Sequence, residues 1–165
     1  MAPRHGRWTA DIEGDFAVFL IGMHVNRWRD VRAWLPVTRA MPKMLRELAE
    51  QPELGLLHAS PGWFMGGPSV VQWWRSFEQL EAYARSASSE HLPAWREFNR
   101  ALRGTTSVGV WHETYRVSAA TSETIYVETP DLGLGAASGL RPLGSTSSSA
   151  ARAGVRVDDL LPVAS

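Results

Sequence analysis

The chain opens into regular structure at Phe16-Ala-Val-Phe-Leu-Ile-Gly-Met-His-Val25, an unbroken apolar run rich in β-forming residues. A run of that length and composition predicts a central strand covered on both faces. From Asn26 the period changes. Trp28, Val31, Leu35, Thr38, Met41, Leu45 and Leu48 recur every three or four residues, with Arg29, Arg32, Arg39, Arg46 and Glu47 between them, the pattern of an amphipathic helix. Pro36 and Pro42 fall inside it, so a kink or two abutting helices is expected. Glu53–Phe64 is a weaker strand signal closed by a turn at Ser60-Pro-Gly62, and Ser69-Val-Val-Gln-Trp-Trp-Arg75 is a strong one. The two are close enough to pair as a hairpin around Gly66-Gly-Pro68.

A second helix starts at Phe77 with Ser76 as its N-cap and Glu78 and Glu81 in its first turns. A third, begun near Pro93, carries Trp95, Phe98 and Leu102 as far as Gly104. Val108–Val117 is the last strong strand, and Thr124–Glu128 is a short edge candidate. The order strand, helix, strand, strand, helices, strand is the split βαβ pattern, so the predicted fold class is α+β: a ferredoxin-like four-stranded antiparallel sheet with helices on one face. Residues such as Val18, Leu20, Val70, Trp74 and Val110 make the strands apolar on both sides. The sheet face away from the helices then needs a second cover, which a homodimer packed face to face would supply. The expected organisation is an N-terminal arm over residues 1–14, a dimeric α/β-barrel domain over 15–130 and a Gly/Ala/Ser-rich flexible tail over 131–165.

Composition narrows the chemistry. With 44% hydrophobic and 21% charged residues the chain is globular. Seventeen basic residues balance seventeen acidic ones, so no net field attracts nucleic acid or an anionic membrane. Zero cysteines exclude disulfides, thiolate nucleophiles, Fe–S clusters and sulfur-ligated zinc. The start lacks a signal-peptide pattern, and the longest apolar stretch, Phe16–Met23, is far short of the roughly 20 residues that span a bilayer. A cytoplasmic protein is expected, with neither nucleic acid nor membrane as a partner.

The histidines and tryptophans carry the candidate site. His24 shares a strand face with Leu20 and Gly22, and His112 with Val108 and Val110, so the two imidazoles are candidates for one cavity wall. His91 lies just before the third helix. His-x-x-x-His pairs, nucleophile elbows and phosphate-binding loops are all missing from the sequence. Eight tryptophans are unusual for this length and mostly fill core. Trp73, Trp95 and Trp111 with Met65 are candidates to line an apolar pocket for a flat molecule, with Arg75, His91, Asn99, His112 and Tyr115 as polar contacts. Arg75 is placed to pair with a carboxylate or propionate.

The segments Ile12–Met23, Ala40–Met44, Pro52–Leu56, Gln72–Glu78 with Leu80–Arg85, Glu90–Arg100 and Gly109–Tyr115 resemble a bacterial family of unknown function. It is labelled monooxygenase-like and grouped with the dimeric α/β-barrel proteins. The resemblance runs from about Trp8 to Leu143. It implies a superfamily of cofactor-independent quinone-forming monooxygenases, haem-degrading monooxygenases and, more distantly, haem-dependent aldoxime dehydratases, all using the space between sheet and helices. Three functions follow as expectations. The first is oxidation of a small apolar or aromatic substrate without a cofactor, with His91 or His112 as base. The second is haem binding through His91, and the third is a non-catalytic ligand-binding module.

Overall fold

The computed structural model describes residues 2–86 and 106–143. The third helix expected from Pro93 to Gly104, and the tail beyond residue 143, lie outside them. The described residues fall into two compact units, one spanning Ala17–Tyr115 and one gathering the chain up to Phe16 with the residues from Arg116 onward.

The larger unit is built on a four-stranded sheet. Its strands are β2 (Asp15–Val25), β3 (Leu56–Phe64), β4 (Gly67–Trp74) and β5 (Val108–Ser118), ordered β3-β4-β2-β5. Helices α1 (Val31–Glu50) and α2 (Phe77–Arg85) connect β2 to β3 and follow β4. This is the split βαβ order, and the fold is α+β and ferredoxin-like. The apolar run from Phe16 forms an inner strand, as its two-sided hydrophobicity requires.

Parity along β2 decides what faces the helices. Ala17, Met23 and Val25 are buried. Ala17 packs with Leu48 of α1, Trp74 of β4 and Leu80 and Tyr83 of α2, the main core cluster. Met23 and Val25 pack with Val108, Val110, Ala33 and Trp34 at the other end. The alternate residues Val18, Leu20, Gly22 and His24 therefore point to the opposite face. Across the β2–β4 ladder Phe19 pairs with Gln72, Ala17 with Trp74 and Val18 with Trp73.

Two local expectations are corrected. Helix α1 runs unbroken through Pro36 and Pro42. Both prolines are exposed, so the carbonyls they free can be hydrated while the stripe of Trp34, Met41, Met44 and Leu48 stays continuous. Ser60-Pro-Gly62 is not a turn but the middle of β3, where Pro61 pairs with Val70. As β3 is a sheet edge, a proline there can turn its donor-less nitrogen away from the ladder. The reversal is instead Met65-Gly66, between the paired residues Phe64 and Gly67. Both turn residues have positive φ, 52° and 84°, the mirror-image turn that matches strand twist. The Ser76 cap holds, its Oγ accepting from Gln79 N at 3.2 Å. At the start of α1, Asp30 makes no side-chain cap; its carboxylate accepts instead from Ser107 Oγ at 2.6 Å.

The smaller unit replaces the expected arm and the near part of the expected tail. Strand β1 (Arg4–Ala10) sits between β6 (Tyr126–Thr129) and β7 (Leu140–Pro142), with a short helix α3 (Gly133–Ser138) joining the last two. The pattern is hard to read because every one of these elements is short and partly polar. What ties it is specific pairing: Arg4 grips Asp131 with two bonds of 3.0 Å. Glu128 accepts from Gly6 N at 2.8 Å and meets His5 Nδ1 at 2.6 Å. Thr9 and Thr124 exchange a hydroxyl bond of 2.9 Å. His5 belongs to β1.

Candidate functional site

Between the helix-facing side of the sheet and helices α1 and α2 lies a cavity of about 280 Å³. Its floor comes from three strands: Phe19 and Ile21 on β2, Gln72 and Trp74 on β4, His112 and Thr114 on β5. Met41, Met44 and Leu48 of α1 and Phe77, Leu80 and Tyr83 of α2 close over it. The strand residues alternate by two, so each strand turns one side-chain row into the space. The lining is mainly apolar, and the two methionines give it adaptable walls. Its volume sits at the lower end of small-molecule pockets, which run from roughly 300 to 1,000 Å³.

Polar groups are few and placed. His112 is solvent-accessible and its ring stands 5.6 Å, centre to centre, from that of Phe19. On the far side of Phe19 is Gln72, only 5% exposed. Its Oε1 accepts from Trp74 Nε1 at 2.9 Å, which fixes the orientation of the amide, since the indole can only donate. Tyr83 is held by its hydroxyl, which donates to Glu47 Oε2 at 2.8 Å.

Among the described site candidates, His112 is the one placed on this cavity. His24 and His112 do not share a wall, because β2 turns His24 to the face away from the helices. There His24 Nδ1 meets Asn26 Oδ1 at 2.9 Å, and its ring crowds Gly66, where a Cβ would collide with it. Trp73 lies on that same far face, half-buried, its ring 5.7 Å from that of His58. Trp111 is also there, edge-on to Phe64 at 5.5 Å and packed so closely on Gly22 that a Cβ at Gly22 would meet it. Its buried indole N–H has no partner among the described residues. Tyr115, on the same row as Trp111, is half-exposed and donates to Glu113 Oε2 at 2.6 Å; that bond raises the phenol above its ordinary range. Met65 is exposed in the hairpin turn. Arg75 is exposed just past β4, anchored through its backbone N–H to Gly55 O at 2.8 Å. His91, Trp95 and Asn99 lie outside the described residues.

The residues missed are Gln72, Trp74 and Thr114, together with Phe19. A signal existed: Gln72 and Trp74 share a parity that excludes Trp73, and a lone amide between large apolar neighbours marks a buried polar position. Trp74 lines this cavity, while Trp73 lies on the opposite face of the sheet.

Among the described residues no arginine lines the cavity to meet the propionates of a haem. Among the described residues no group of histidines and carboxylates is arranged to hold a metal ion, and no helix is long and apolar enough to cross a membrane.

Fold and cavity together define a ferredoxin-like α+β architecture with a mainly apolar cavity beneath its helices. The chain belongs to the Monooxygenase af470-like family, whose match covers residues 16–134. Among solved structures it is similar to two crystal structures of aldoxime dehydratase. One, in complex with butyraldoxime, has a TM-score of 0.59 and 19% identity over 75% of this chain and 37% of that one. The other has a TM-score of 0.60 and 20% identity over 83% and 41%. The fold is shared with both, and the chain spans about two fifths of their length. No curated protein sequence matches it.

Proposed function

We propose that this protein is a monooxygenase-like enzyme that oxidises a small apolar or aromatic molecule in the cavity beneath α1 and α2, with His112 as the general base. The observation that carries the reading is the placement of His112: an imidazole at the edge of a mainly apolar space, within a chain that belongs to a monooxygenase-like family. An apolar cavity suits chemistry in which the substrate itself supplies the electrons. His112 removes a proton from an activated methylene, and the resulting carbanion adds O₂. The imidazolium returns its proton to the peroxide, which loses water to leave a carbonyl. The sum is R₂CH₂ + O₂ → R₂CO + H₂O: one oxygen atom enters the product, the other leaves as water, and the methylene carbon supplies all four electrons.

The working unit we propose is a homodimer. The sheet face away from the helices carries Val18, Leu20, Val71, Trp73 and Trp111, all only half-buried in the single chain, and contiguous apolar surface of that kind is characteristic of association.

The test is oxygen uptake by the purified protein across a panel of polycyclic methylene compounds such as anthrone. His112→Asn keeps a similar shape and removes the base, so uptake is expected to fall at least 100-fold with the melting temperature unchanged. Equal uptake by this variant removes His112 from the mechanism.

A further inference from the structure

Gln72 is buried, yet only half of its amide is used. Trp74 Nε1 occupies Oε1 at 2.9 Å, and among the described residues no hydrogen bond engages Nε2. Gln72 lines the cavity, and its Nε2 is not among the sealed buried polar atoms left without a partner. Gln72 is 5% exposed, so a molecule filling the cavity would meet an amide already stripped of most of its water.

Trp74 is 1% exposed and packed in the main core, so the indole clamp cannot swing, and the amide cannot flip without setting an N–H against the indole N–H. The donor direction is built in. The lining around it is mainly apolar: Phe19 is its direct cross-strand neighbour, and Phe77 and the two methionines share the lining alongside His112, Thr114 and Glu81.

We propose that Gln72 is the residue that selects substrate, donating from Nε2 to a single acceptor oxygen, a ketone carbonyl or a phenolate, on an otherwise apolar bicyclic molecule lying over Phe19. This rests on the oxygenase reading for its chemical purpose, since an oxygen conjugated with the reacting carbon is what stabilises the carbanion His112 would generate. The binding claim stands separately.

The experiment compares 1-tetralone with tetralin, which differ by that one oxygen, binding to the intact protein under nitrogen. Dissociation constants come from tryptophan fluorescence. In Gln72→Met, an unbranched apolar replacement of similar length, the tetralone-over-tetralin preference is expected to fall about tenfold, with tetralin affinity held within twofold. A preference unchanged in the variant overturns the proposal. Should that variant not fold, the wild-type protein decides: the carbonyl stretch of bound 1-tetralone shifts to lower frequency than in cyclohexane if an N–H donates to it, and an unshifted band overturns the proposal. Failure of the oxygenase reading is distinct, appearing as no oxygen uptake with any compound while the binding preference persists.

Discussion

At the scale of single residues, the face a side chain occupies determines what its chemistry is for. His58 and His112 are both strand imidazoles, one on each side of the sheet. His58 Nε2 lies 3.1 Å from Ser60 Oγ and its ring rests against Trp73; burial holds its pKa below the ordinary imidazole value of about 6.5. The unfolded chain therefore binds this proton more readily than the folded one, and stability rises with pH across the interval between the two values. The contribution is complete above the ordinary value and is lost as pH falls through the depressed one. Thermal melts at pH 5 and pH 7.5 should show a smaller difference in His58→Gln than in the wild type; an unchanged difference would assign the acid sensitivity elsewhere. Glu128 acts in the same direction in the smaller unit, lowered first by the Gly6 N–H and then by His5, so acid also weakens the pairing of β6 with β1.

At the scale of elements, the strands and helices were legible wherever a hydrophobic period ran long enough to outweigh local breakers. The run from Phe16, the stripe of α1 and the Ser76 cap all read directly from sequence. Pro61 misled because a proline in a strand and a proline in a turn look alike until the strand is known to be an edge. The hairpin expected around Gly66-Gly-Pro68 does form, with its turn at Met65-Gly66, where only the glycine advertises positive φ. Met65 holds φ of 52° at a cost of about 1–2 kcal/mol for an L-residue, and it is 56% exposed, so little packing offsets that. Asparagine is favoured at that position of this turn. Met65→Asn should accordingly raise stability by about 0.5–1 kcal/mol in urea unfolding; a loss of stability would show that Met65 makes a contact that matters more than its backbone.

At the scale of the whole molecule, the ferredoxin-like fold was readable from element order alone, while the cavity was not. The strands are apolar on both faces, so hydrophobicity could not say which row of each strand lies under the helices. Only the contacts of Ala17 and Trp74 with α1 and α2 settle the parity, and with it the choice of Gln72 over Trp73. The second sheet was invisible for a different reason: its strands are brought together by pairings more than 100 residues apart, such as Arg4 with Asp131, which no local pattern announces. The two-sided character of the larger sheet bears on assembly. Val71→Glu places a charge in the middle of the face proposed to meet a second copy, and sedimentation velocity should report a shift from dimer to monomer; a wild-type protein that sediments as a monomer at micromolar concentration would discard the dimer.

Trp28, ahead of α1, lies nearly parallel to Trp63 near the end of edge strand β3, ring centres 5.4 Å apart at 25°, both at least half exposed. Two indoles at that distance share their electronic excitation, so the pair should imprint an exciton couplet on the far-ultraviolet circular dichroism. The couplet is local to the contact between the α1 entrance and the edge hairpin. It therefore gives an optical gauge of fraying at that corner, independent of the helical signal that reports the rest of the fold.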